Sequence, residues 1–209
     1  MASFRTHVVC GGIWGVAAGT AAFLAGWCGM VQSVALGILA MIGAALPDID
    51  SRSGRPRRIL LGILGVGIPV LLVGSGFLRK MTTEALFCWM IALYIAIRYG
   101  ADFLLSRFSH HRGAFHSIPA GLLTGETVYL IFHDSALHVR FAFALAAGGG
   151  YLSHLLLDEL CSWNFVGANE KASVGTAFTW NAGSIPGNLL LYAAVLAAAV
   201  FCVLTPFPG

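Results

Sequence analysis

Seven stretches of this chain run for most of a bilayer's thickness with almost no charge. Residues 8–28, 30–47 and 59–78 are uncharged throughout. A fourth stretch starts at about Ala85, is uncharged to Ile97, and continues as an amphipathic helix through Arg98 and Asp102. A fifth covers roughly 117–132 and is interrupted by Glu126, a sixth covers 141–157, and a seventh runs from about Gly187 to Leu204. Crossing the hydrocarbon core takes roughly 20 residues, with a usual range of about 17–25. Inside lipid the backbone must satisfy its own hydrogen bonds, so these stretches are expected to be helices. A soluble domain would carry about 25% charged residues; this chain carries 10%, against 58% hydrophobic. The expected fold is therefore all-α: a polytopic membrane protein of about seven transmembrane helices (six or seven), forming a single integral membrane domain over residues 1–209. The first span is expected to be retained, because only Arg5 precedes it and the next span follows too soon for a cleaved leader.

The remaining composition narrows partners. A net charge of +3 gives no basis for nucleic-acid binding, and none is expected. The five cysteines form no CxxC pair and are expected to be buried small hydrophobes. Gly11, Gly12, Gly15 and Gly19, and later Gly148, Gly149 and Gly150, permit close helix approach. No phosphate-loop pattern is present.

Charge orients the spans. With seven crossings, the N-terminus and the loops at 48–58, 106–116 and 159–186 share one side. That side carries Arg5, Arg52, Arg55, Arg57, Arg58, Arg107, Arg112 and Lys171; the other has Arg79, Lys80 and Arg140. The positive-inside rule makes the first side cytoplasmic. The 159–186 stretch is expected to be a cytoplasmic loop or re-entrant segment.

Four His and Asp clusters fall on that same side, each where an apolar span ends. They are His7, Pro47-Asp48-Ile49-Asp50, His111 to His116, and His154 to Asp158. Imidazole and carboxylate are the ligands of hydrolytic zinc or manganese sites. His154 and Asp158 are four apart, which stacks them on one helical face. An interhelical hydrogen-bonded pair is the alternative. Asp48 and Asp50 follow a helix-ending proline, and in an extended turn both would point to one side; a solvated turn facing Arg52 and Arg55 is the alternative. His111 and His116 suit a turn entering a helix near Ser117 and Pro119. His7 alone would read as an interfacial histidine, and beside the other clusters it reads as a ligand. Arg112 has no lone pair to give a metal. It suits stabilising an anion, or otherwise meets lipid headgroups. His110, His133 and His138 are left out. Arg98 and Asp102 are expected to form an internal ion pair. Glu126 lies about 13 Å along its helix from Ser117 and is expected to be protonated or hydrogen-bonded, with a transport role as its functional alternative.

Taken in order, a His at the start of helix one, P-D-x-D, H-R-G-x-x-H-S and S-H-x-x-x-D resemble the YdjM-like family. These are bacterial inner-membrane proteins described as LexA-regulated, membrane-bound, metal-dependent hydrolases. The matching positions are His7, Pro47 to Asp50, His111 to Ser117 and Ser153 to Asp158, and the resemblance spans most of the chain. Phe115, Glu126 and Glu159 depart from the pattern and bear on substrate choice. The helical His/Asp style is more distantly similar to zinc-dependent phospholipase C and nuclease P1 enzymes, which implies phosphoester hydrolysis.

The expected metal ligands are thus His7, Asp48, Asp50, His111, His116, His154 and Asp158, with Arg112 and Asp50 assigned to catalysis. Seven ligands exceed what one catalytic zinc takes, so two divalent ions, zinc or manganese, are expected. The implied activity is metal-assisted hydrolysis at the cytoplasmic interface of the inner membrane. A site at that interface suggests a lipid-like substrate, with membrane lipids as partners. The rival is a divalent-metal or proton-coupled transporter. Transporters place their sites near the midplane, often within repeats; here the ligands cluster at one face and no repeat is visible.

Overall fold

A computed structural model of the chain describes residues 3–50, 54–74, 81–108, 115–162, 179–180 and 184–205. The helices are α1 (Phe4–Leu24), α2 (Met30–Ala45), α3 (Arg55–Gly74), α4 (Thr83–Ile95), α5 (Asp102–Phe108), α6 (Ile118–Ile131), α7 (Leu137–Ser162) and α8 (Ile185–Leu204). Their starts follow local chemistry. The hydroxyls of Ser3, Thr82, Ser117 and Ser184 accept the first backbone N–H groups of α1, α4, α6 and α8. Proline occupies the first turn of α6 and of α8. The tight turn between α1 and α2 needs Gly26, whose φ is +71°. Pro47 ends α2 as an α-helix, since its ring clashes with the preceding turn. The chain continues from α2 as a 3-10 turn, Leu46–Asp50.

Among the described residues, six helical stretches are long and apolar enough to cross a membrane: Phe4–Leu24, Met30–Ile49, Pro56–Gly74, Thr83–Leu105, Leu137–Cys161 and Ile185–Leu204. The seventh apolar helix, α6, has 14 residues, about 21 Å at 1.5 Å per residue. The distribution of polarity is inverted relative to a soluble protein. Val31 and Val203 are each 83% exposed, while His154 and Arg140 are 0% exposed. An outside of this kind is solvated by lipid, and the protein is an all-α polytopic membrane protein.

The chain forms two compact units, residues 1–47 with 112–209, and residues 48–111. In the first unit, α1 packs on α2 and α7, α2 on α7, and α6 on α7 and α8. Small residues make the α1–α2–α7 contacts. The buried face of α1 repeats every four residues as His7, Gly11, Gly15 and Gly19. A Cβ on Gly15 would lie 2.7 Å from Gly37 Cα and 2.9 Å from Ala40 Cβ. Gly43 of α2 lies against the Ala147 backbone, and Gly150 of α7 against that of Ala40. The absence of side chains there lets the helix backbones touch.

Arg140 corrects the charge count. It is not a loop cation but lies in the first turns of α7, fully buried. Its Nε donates to the Tyr129 carbonyl at 3.3 Å, and its guanidinium carbon lies 3.9 Å from the Tyr129 ring centre. Tyr129 is in the last turn of α6, whose carbonyls have no partner within the helix, so a cation is favoured there. Glu126, farther back on α6, is half-buried, and its Oε2 has no hydrogen-bond partner among the described residues.

In the second unit, α3 packs against α4 and against the π-helical stretch Ala96–Ala101 that joins α4 to α5. That stretch overturns the expected Arg98–Asp102 pair. Four residues make one turn of an α-helix but fall short of one in a π-helix. Asp102 instead accepts from Arg57 Nε of α3 at 2.6 Å, and Arg98 lies over the Tyr99 ring at 5.2 Å.

Candidate metal centre

His7 sits in the first turns of α1, and His154 and Asp158 lie one turn apart near the end of α7. The close approach of α1 to α7 brings the three together. His7 is 2% exposed, His154 0% and Asp158 5%. Asp158 reaches both imidazoles: its Oδ1 is 3.3 Å from His7 Nε2 and its Oδ2 is 3.8 Å from His154 Nε2. The two rings stack with centroids 3.6 Å apart, 15° from parallel. One ligand atom from each residue falls within 4.8 Å of the others, a set that could hold a metal ion.

His116 comes from a third direction. It precedes Ser117, the N-cap of α6, and is 2% exposed. Its ring stands edge-on to that of His154, centroids 5.6 Å apart at 73°. The turn that carries it is held on two sides. Tyr151 of α7 donates its hydroxyl to the Phe115 carbonyl, and Thr179 donates its hydroxyl to the His116 carbonyl at 2.6 Å. The Thr179 carbonyl accepts from Ile118 N at 2.9 Å.

The donor set suits a metal on one point of proton chemistry. His154 Nδ1 lies 2.7 Å from the Ala44 carbonyl of α2. A carbonyl only accepts, so Nδ1 carries the proton in the neutral ring, and Nε2 presents a lone pair. That lone pair looks toward a carboxylate and has no hydrogen-bond partner among the described residues. Two acceptors face each other, an arrangement that a cation between them satisfies. A ring nitrogen fixed by a backbone carbonyl, with the other left for metal, is the usual support of a metal-bound histidine. His7 Nδ1 is likewise buried without a hydrogen-bond partner among the described residues.

Of the other expected ligands, Asp48 lies half-buried in the 3-10 turn after α2, within the second unit. Asp50 ends that turn, and its side chain is outside the described residues. His111, Arg112 and the neighbouring His110 are outside them too. So is most of the expected 159–186 loop: α7 continues to Ser162, Thr179 and Trp180 are described, and α8 starts at Ile185. Ser153 turns its hydroxyl back to the Gly150 carbonyl at 2.7 Å, within its own helix. Ala44, Tyr151 and Thr179 had no place in the sequence reading. Only Tyr151 carried a signal, since a tyrosine inside an apolar helix needs a partner for its hydroxyl.

No curated protein and no solved structure matches the chain. A family model described as YdjM inner membrane protein matches residues 1–205. With His7, His116, His154 and Asp158 all inside that match, the chain belongs to the YdjM inner membrane protein family.

Proposed function

We propose that the protein is a metal-dependent hydrolase of the inner membrane, acting on a phosphoester or related bond of a lipid-like substrate. The observation that carries this reading is the His154 Nε2 lone pair held toward Asp158 beside His7. Asp158 would offer one oxygen to each imidazole side of the site. His116 would close a third side, and the buried setting would keep bulk water out. A bound divalent cation supplies Lewis acidity and lowers the pKa of a coordinated water. Zinc is the first choice and manganese the second; two ions suit the full set His7, Asp48, Asp50, His111, His116, His154 and Asp158. Asp50 and Arg112 are assigned to catalysis, Arg112 to stabilise negative charge on the substrate. The site is assigned to the cytoplasmic face, where a lipid enters sideways from the bilayer.

The test is hydrolysis by detergent-purified protein loaded with zinc or manganese. A phospholipid mixture is expected to be cleaved by the wild type and not by Asp158→Ala. Cleavage of soluble phosphoesters alone would overturn the lipid assignment. The transporter reading draws on Glu126, whose buried Oε2 lacks a partner among the described residues. Metal uptake into liposomes that is lost in Glu126→Gln but kept in His116→Ala would favour it.

A further inference from the structure

A histidine ring is aimed by its backbone before its own torsions act. The direction of the Cα–Cβ bond is set by the two peptide groups on either side of the α-carbon. At His116 both carry a hydrogen bond from a distant side chain. The preceding peptide gives its carbonyl, that of Phe115, to Tyr151. The following peptide gives its carbonyl, that of His116 itself, to the Thr179 hydroxyl. Neither bond belongs to a helix, and an N-cap turn does not require either.

Both donors are themselves fixed. Tyr151 is 1% exposed, and its ring packs on Gly121 of α6, where a Cβ would come within 3.2 Å of Tyr151 Cδ1. It lies three residues before His154, on the same side of α7. A single helix thus carries one imidazole and the hook for another. Thr179 pairs with Ser117 as an isolated parallel bridge, and the next residue, Trp180, gives its carbonyl to Tyr192 of α8 at 2.6 Å.

We propose that Tyr151 and Thr179 are positioning residues that pin the two peptide groups flanking His116 and so set its imidazole against that of His154. This rests on the metal-site reading for its purpose, though its geometry stands apart from it. Removing one pin frees one backbone torsion of His116 and leaves His7, His154 and Asp158 in place. Outer partners of this kind typically tune metal affinity by about 10- to 100-fold.

The experiment compares Tyr151→Phe, Thr179→Val and Thr179→Ser with the wild type, in detergent. The first readout needs no metal: the rate of His116 modification by diethylpyrocarbonate, mapped by mass spectrometry, with exposed His133 as the internal standard. Tyr151→Phe and Thr179→Val are expected to speed modification of His116 by about fivefold, the factor given by one lost hydrogen bond. Thr179→Ser keeps the hydroxyl and is expected to match the wild type. The second readout is cobalt(II) binding by visible absorption, expected to weaken about 10- to 100-fold in the first two variants alone. Unchanged His116 modification in both Tyr151→Phe and Thr179→Val would overturn the proposal. So would equal acceleration at His7 and His154, which marks general loosening. A wild type that binds no cobalt would count against the metal reading, while the modification rates would still decide the role of the two pins.

Discussion

Asp158→Asn is expected to strip the chain of metal and leave its helices standing. Elemental analysis of the detergent-purified variant is expected to find little zinc or manganese, with affinity reduced by at least about 100-fold, the upper end for altering a mere outer partner. The change keeps the size of the side chain and removes its charge. Two effects then act together. The site loses the carboxylate that reaches both imidazoles, at 3.3 and 3.8 Å. The new amide can also turn its NH₂ toward the His154 Nε2 lone pair and make a neutral hydrogen bond there. That internal pairing competes with any cation. If the whole His and Asp cluster served only as interhelical hydrogen-bond partners, the wild type would carry no metal even after reconstitution at neutral pH. Equal metal content in the two proteins would remove Asp158 from the site.

The second large effect comes from the packing. Gly150→Leu is expected to disrupt the α2–α7 contact and cost at least about 3 kcal/mol, the upper range for overpacking. A Cβ at position 150 would sit 2.9 Å from Ala40 C and 3.0 Å from Ala40 Cα. Those are backbone atoms of another helix, so no side chain can swing aside. The damage is expected to reach the candidate metal centre by leverage. His154 lies one turn beyond Gly150, and Ala44 one turn beyond Ala40. Separating the helices at the first pair therefore stretches the His154–Ala44 hydrogen bond, 2.7 Å in the intact protein. Thermal unfolding in detergent reads the first consequence and metal content the second. Gly37→Ala on the same α2 is the contrast. Its Cβ would meet nothing within 4 Å, so it should gain about 0.5–1 kcal/mol from reduced backbone freedom. Comparable losses in both variants would contradict the packing account.

Span positions were legible because charge is expelled from lipid, and the uncharged runs mark the helices within a few residues. The start of α6 was legible because Ser117 and Pro119 are local signals that need no neighbour. Events that depend on a partner helix were not. The π-helical stretch Ala96–Ala101 has no proline to announce it, so four-residue spacing gave the wrong ion pair. Arg140 read as a loop charge because what buries it is Tyr129 in the last turn of α6, a feature of three dimensions. At the site, the spacing of His154 and Asp158 fixes their common face on α7. It says nothing of which other helix that face meets. Glycines at 11 and 15 seat α1 closely on α2, while His7 meets His154 across a separate contact of α1 with α7. The carbonyl holding His154 belongs to an alanine, which sequence reading has no reason to single out.

The bond from His154 to Ala44 also implies an order of events in the life of the protein. Before α7 docks on α2, nothing holds the proton on Nδ1, and a free imidazole favours carrying it on Nε2. In that tautomer the nitrogen that faces Asp158 carries a proton rather than a lone pair. Docking moves the proton by giving Nδ1 an acceptor at a helix end, where backbone carbonyls lack partners. On the proposed metal reading, the geometry that would receive an ion is completed at assembly rather than encoded in the ligands alone. Metal uptake during refolding from detergent should accordingly trail the formation of the α2–α7 contact; uptake that precedes it would break this ordering.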